Sequence, residues 1–109
     1  DILKARDYIE KHYMENLSLN VLAKEIHMNP YYFSSFFKKN TGENFKDYVN
    51  RIRVEHAMSM LLSTDMKTYE IAEKAGFGDI RMFNTAFMKI YQETPGSYRK
   101  RVRESKGDN

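Results

Sequence analysis

Apolar residues return every three or four positions along almost the whole chain and nowhere alternate singly, so the pattern predicts helices and no strands. Ile2, Leu3, Ala5, Tyr8, Ile9 and Tyr13 mark a first helix reaching to about residue 14. Val21, Leu22, Ala23 and Ile26 mark a second over about 19–26, with Ser18 as its cap. A third, over about 30–40, buries Phe33, Phe36 and Phe37 and turns Tyr31, Tyr32, Ser34, Ser35, Lys38 and Lys39 outward; Thr41-Gly42 ends it. From 44 to 63 there is neither Pro nor Gly, and Phe45, Tyr48, Val49, Ile52, Ala57, Met58, Leu61 and Leu62 keep a helical rhythm over roughly 30 Å at ~1.5 Å per residue. A fifth helix is expected over about 68–75. The sixth, about 80–91, buries Phe83, Phe87 and Ile90 and presents Ile80, Arg81, Asn84, Thr85 and Met88. Thr94-Pro95 starts a last short helix that runs through Tyr98 into the basic segment 99–103, and 104–109 are expected to fray.

The pattern occurs twice. Laid on 19–51, the stretch 67–101 puts Ala72 on Ala23, Asp79 on Asn29, Phe83 on Phe33, Phe87 on Phe37, Lys89 on Lys39 and Tyr98 on Tyr48. The Ala pair is one residue closer than the others, so the second copy carries one extra residue in its Ala-Gly-Phe-Gly-Asp turn. Each copy reads as a short helix holding Ala, a tight turn, an Asn29 or Asp79 cap and a second amphipathic helix, which is a helix-turn-helix unit. Pro30 fits the first helical position, where its missing N–H costs nothing. Gly76 suits a positive φ in the second turn; in the first that place falls to His27, which tolerates it less well. The fold expected is all-α, about seven helices, with helix-turn-helix subdomains at 19–41 and 68–91 joined by a long helix at 44–63 and followed by 95–103, all within one domain, 1–109.

Composition narrows the functions. The 109 residues include no cysteine, which excludes disulfides and Cys-containing zinc sites and is compatible with a reducing compartment; a cytoplasmic location is expected. No apolar run is long enough to span a membrane. Residue 1 is Asp and the periodic pattern begins at once, so the chain reads as part of a longer protein. The net charge is only +3, and the basic residues matter where they cluster, at Lys38-Lys39, Arg51 to Arg53 and Arg99 to Arg103. His12, His27 and His56 lack metal-ligand spacing, and there is no Ser-His-Asp set, carboxylate pair or phosphate-cradling Gly loop; no enzyme activity, metal or cofactor is expected.

A major groove of B-DNA admits one α-helix, and a helix-turn-helix lays its second helix there. Two units on one spacer would enter successive grooves, roughly 34 Å apart, on double-stranded DNA. Candidate phosphate contacts are Lys38, Lys39, Arg53, Lys67, Lys89, Arg99 and Arg101. The competing reading is a helical protein–protein interaction module without sequence-specific DNA binding, which predicts binding indifferent to salt. RNA binding is disfavoured, because exposed aromatics on a sheet or in a loop are not predicted.

Several linked motifs sharpen this. Ile71-Ala72-x-x-x-Gly76-Phe77, Phe83-x-x-x-Phe87-x-Lys89 and Thr94-Pro95-x-x-Tyr98-Arg99, together with Phe33-x-x-x-Phe37-Lys38-Lys39, Thr41-Gly42, Phe45-x-x-Tyr48 and Arg53-Val54-x-x-Ala57-x-x-Met60-Leu61, resemble the DNA-binding domain of the AraC/XylS transcriptional regulators over 2–103. The resemblance implies seven helices that bind promoter DNA, with RNA polymerase as a further partner. Asn29-Pro30-Tyr31-Tyr32-Phe33 is similar to the output domains of two-component response regulators in that family. That implies a receiver domain upstream, while other members carry a ligand-binding sensor domain there. Carried over by position, base contacts fall on Tyr31, Ser34 and Ser35 in the first unit and on Ile80, Arg81, Asn84 and Thr85 in the second. Many members have Arg or Lys where this chain has Ser35 and Thr85, and a basic residue is frequent at Met88. A weaker intrinsic affinity, more dependent on a partner or dimer, is therefore expected.

Overall fold

In a computed structural model, which describes residues 1–107, the chain forms seven helices and, among the described residues, no strand. They are α1 (Ile2–His12), α2 (Leu19–Glu25), α3 (Pro30–Thr41), α4 (Phe45–Ser63), α5 (Thr68–Lys74), α6 (Ile80–Tyr91) and α7 (Pro95–Gly107). The helix starts follow from local chemistry. Ser18 Oγ accepts from the Val21 amide at 3.1 Å, Asn29 Oδ1 from Tyr31 at 2.8 Å and Asp79 Oδ1 from Met82 at 2.8 Å, each satisfying an amide the helix leaves unpaired. Asn44 and Thr94 do the same for α4 and α7, accepting from Asp47 at 2.8 Å and Ser97 at 3.1 Å.

The chain divides into two compact units, Asp1–Ile52 and the remainder from Arg53, with the boundary inside α4. The first is built on Ala5, Ile9, Leu22, Ala23, Phe33, Phe37, Tyr48, Val49 and Ile52. The second is built on Val54, Ala57, Leu61, Ile71, Ala72, Ala75, Phe77, Phe83, Ala86 and Phe87. Ile52 and Val54 are two residues apart and so cannot share one helical stripe, which is why α4 serves each core with its own set.

The internal repeat is reproduced atom for atom in places. Both tight turns close the preceding helix by the same paired bonds: His27 donates to Lys24 O and Met28 to Ala23 O, while Gly76 donates to Glu73 O and Phe77 to Ala72 O. That closure needs a left-handed residue, and φ is +59° at His27 and +97° at Gly76. Ala23 and Ala72 are buried beside these turns. Farther on, Phe37 meets the Tyr48 ring edge-on at 5.0 Å, and Phe87 meets Tyr98 likewise at 5.7 Å. Arg51 lies over Tyr48 and donates to Glu43 Oε1 at 2.9 Å; Arg101 lies over Tyr98 and donates to Glu93 Oε1 at 2.6 Å.

Four expectations are corrected. Ile90 is 37% exposed, and Tyr91 turns inward instead, its ring 4.8 Å from Phe87 and 5.7 Å from Tyr98. Leu62 and Val21 lie outside their stripes and are exposed, as is Leu3, because Ile2, Ala5 and Ile9 already make up the inward line of α1. Val54 is fully buried although the α4 rhythm passed over it. Helix α7 does not stop at 103 but continues to Gly107; residues 108 and 109 of the expected frayed tail lie outside the described residues.

Candidate nucleic-acid interface

With Phe33 and Phe37 fully buried, the geometry of α3 puts Tyr31, Ser34, Ser35 and Lys38 on one outward stripe at i, i+3, i+4 and i+7. All four are exposed, Tyr31 by 81%. Its ring stands edge-on to Tyr32 at 5.4 Å, so the two tyrosines form a small aromatic ledge at the first turn of α3. In α6, Phe83, Ala86 and Phe87 are buried, and the matching outward stripe is Arg81, Asn84, Thr85 and Met88, each fifty positions on from its α3 counterpart. Asn84 is half-buried and the other three are exposed. Ile80 is half-buried and packs against the second core, so only part of its side chain reaches the surface.

The stripes differ in where they carry charge. On α3 the cation is Lys38, in the last turn, where it also favours the helix dipole. On α6 it is Arg81, second residue of the helix, just past the Asp79 cap. Among the described residues the Arg81 guanidinium has no hydrogen-bond or ion-pair partner. At Ser35, Thr85 and Met88 the stripes hold hydroxyls and a thioether, without a long cation.

The other basic candidates separate into two groups. Lys38, Lys39, Lys67 and Lys89 are exposed, Lys67 at the residue that opens α5, where Glu70 accepts from its backbone amide at 3.4 Å. Lys89 and Arg53 each have an interaction within the protein, and Arg53 is half-buried, desolvation holding its guanidinium below the usual value. Arg99 and Arg101 are engaged internally. Arg101 donates twice to Glu93, and this hydrogen bonding holds the Glu93 carboxyl below the usual carboxylate range. Arg99 donates to the backbone carbonyls of Leu61, Met66 and Thr64 at 2.9, 2.6 and 3.1 Å. The Glu93–Arg101 pair could have been suspected from the equivalent Glu43 and Arg51 in the repeat; the Arg99 contacts leave no such mark. Among the described residues no group of three or more His, Asp and Glu side chains is arranged to hold a metal, and no helix is long and apolar enough to cross a membrane.

Comparison with known proteins agrees with this geometry. Residues 22–101 match the family model described as a helix-turn-helix domain. The regulatory protein PocR of Salmonella typhimurium is 37% identical over 102 residues, covering 94% of this chain but 34% of PocR. This chain thus spans about a third or less of the first curated relatives it matches. The crystal structure of the C-terminal domain of the two-component response regulator yesN from Fusobacterium nucleatum is 43% identical with a TM-score of 0.83, covering 87% of this chain and 93% of that one. The fold is also that of the DNA-binding domain of AdpA, solved in complex with a target DNA, at a TM-score of 0.92 and 21% identity over 99% of this chain and 97% of that one. With two capped helix pairs, paired outward stripes fifty residues apart and a family match across both, this chain belongs to the AraC-type helix-turn-helix domain family of transcriptional regulators.

Proposed function

We propose that this chain is the sequence-specific, double-stranded DNA-binding module of a transcription factor, reading major grooves with α3 and α6. The observation that carries the reading is the pair of equivalent outward stripes, of which the second holds, in the first turn of α6, an exposed Arg81 without a partner among the described residues. First-turn residues of a recognition helix are those that meet base edges, and an arginine there matches the guanine O6/N7 pair with two parallel bonds. The stripes divide the work unequally. Ser34 and Ser35 are hydroxyls that donate or accept with any base, so α3 discriminates weakly and mainly sets register through Tyr31 and Lys38, while Arg81, Asn84 and Thr85 carry most of the selectivity.

Phosphate contact falls to Lys38, Lys39, Lys67 and Lys89, with Arg53 in a lesser role. Arg99 and Arg101 are drawn off by their internal partners. Replacing Lys38 by Ala is expected to weaken binding several-fold on every sequence alike and to flatten the log–log salt slope by about 0.9, the value for one phosphate neutralised; competitive titration at several salt concentrations checks it. Loss confined to one sequence would instead give Lys38 a base.

The similarity to a response-regulator C-terminal domain, and the small share of its relatives that the chain spans, support placing this module at the output end of a longer regulator. Its upstream part would be a receiver or sensor domain, RNA polymerase a further partner, and the compartment that of the promoter, the cytoplasm. No enzyme activity is proposed. The deciding experiment is selection from a random double-stranded DNA pool, followed by salt titration of the enriched sequence. Two half-motifs about one helical turn apart, with affinity falling steeply in salt, is the expected result. No enrichment, with weak retention indifferent to salt, would replace this reading by the protein-interaction module, for which the exposed Met82 and Met88 would be the contact.

A further inference from the structure

The last carbonyls of a helix have no partner inside it and must find donors elsewhere. At the end of α4 Thr64 serves Met60 O, while Leu61 O and the carbonyls of the connection to α5 take donors from α7. Arg99 Nε donates to Leu61 O at 2.9 Å, Nη1 to Met66 O at 2.6 Å and Nη2 to Thr64 O at 3.1 Å. Arg103 adds a bond from Nη2 to Thr64 O at 2.6 Å and an ion pair with Asp65 at 3.1 Å. A planar guanidinium reaches three separated carbonyls from three nitrogens in fixed directions; an ammonium has its three donors on one atom at the end of a flexible stem and cannot span the same set.

The fastened connection leads directly into Lys67 and α5, the helix that braces α6. The residue before Arg99, Tyr98, packs on Phe87 and Tyr91 of α6. Consecutive side chains of α7 therefore hold the connection that leads into α5 and the inner face of α6. In the first unit the position fifty residues before Arg99 is held by Val49, which is buried in an apolar core and has no side-chain donor to offer. The three bonds of Arg99 thus belong to the unit whose outward stripe carries Arg81, and Val49 cannot make them in the other.

We propose that Arg99 is the positioning residue of the second reading unit, locking the α4–α5 connection so that α5 and α6 meet DNA in one fixed arrangement, and that it is not a phosphate ligand. This rests on the DNA-binding reading above. The test uses the operator enriched by selection and compares the wild-type domain with Arg99→Lys, which keeps the charge and loses the fork. Arg99→Lys is expected to lose about tenfold in affinity, the scale of losing hydrogen bonds to a charged group. Its selectivity should fall only at the half-motif that responds to Arg81→Ala, with the salt slope unchanged. A phosphate ligand predicts otherwise, since lysine also binds phosphate well. Binding by Arg99→Lys equal to wild type, or an equal loss at both half-motifs, overturns the proposal.

Two further measurements keep the test decisive. Should Arg99→Lys fail to fold, Arg103→Lys, which disturbs the Thr64 and Asp65 contacts and leaves the three bonds of Arg99 to be made, is expected to show a smaller loss at the same half-motif; uniform weakening with a flattened slope would overturn the proposal. Amide hydrogen exchange in α5 needs no DNA. It should be at least about tenfold faster in Arg99→Lys than in wild type, as local opening becomes easier, and unchanged exchange also overturns the proposal. If the wild-type domain selects no DNA, the reading fails on its own while the exchange result still decides whether Arg99 fastens the unit.

Discussion

Replacing Phe87 by Ala is expected to destabilise the second unit by about 3–5 kcal/mol, the cost of deleting a fully buried aromatic side chain and leaving a cavity the surroundings cannot fill. Phe87 is fully buried and sits where α6 and α7 meet, with ring centroids 5.9 Å from Phe83, 4.8 Å from Tyr91 and 5.7 Å from Tyr98. Two of these are edge-on contacts, which add about 0.5–1.5 kcal/mol each beyond buried area. Losing the ring removes the surface on which Tyr98 rests, and with it the support for the helix that bears Arg99. Urea unfolding followed by circular dichroism measures the effect. Because the chain holds two compact units, a fall in one transition with the other unmoved is the specific outcome, and a loss below about 1 kcal/mol would show that the site collapses onto the gap. Phe87→Leu keeps most of the volume and should cost about half as much or less.

The second large effect concerns binding. Arg81→Ala should lose about 1–3 kcal/mol on the selected operator, with relaxed preference at a single base pair, as removal of one bidentate guanine contact predicts. Arg81 is solvent-exposed and internally unpaired among the described residues, so the substitution leaves no buried partner stranded and should barely move stability. That separates it from Phe87→Ala, which lowers both. Binding assays across all single-base variants of the operator, with a thermal melt on the same sample, distinguish the two. An equal loss on every variant would assign Arg81 to phosphate, and then Asn84 and Thr85 would have to carry the discrimination of α6.

These predictions differ in how far they could be made without coordinates. That Phe87 is buried follows from Phe83 and Phe87 sharing a helical stripe, and that Arg81 faces out follows from the same stripe. The departure at Ser35 and Thr85 was equally legible, since it is a statement about residue types at matched positions. What could not be read was the fate of the other arginines. Arg99 and Arg101 looked like equivalent members of a basic run, yet one holds three backbone carbonyls and the other a carboxylate. A run of positive charge carries no mark of what it pairs with. Ile90 failed for a related reason: it lies on the correct side of α6, but Tyr91, drawn in by Tyr98 of another helix, takes the interior position.

Local chemistry, by contrast, wrote the helix ends directly into the chain. Ser18, Asn29 and Asp79 cap amides two or three residues away, and the left-handed backbone at His27 and Gly76 closes turns with bonds spanning three to five residues. Interactions of that range depend only on neighbouring residues, so the number of helices, their starts and the doubling of the unit were determined by the sequence itself. Only the tertiary structure decided which arginines are bound within the protein and which side chains stand exposed. Arg99 reaches carbonyls 33 to 38 residues away, and a backbone carbonyl looks the same at every position until folding leaves it without a partner.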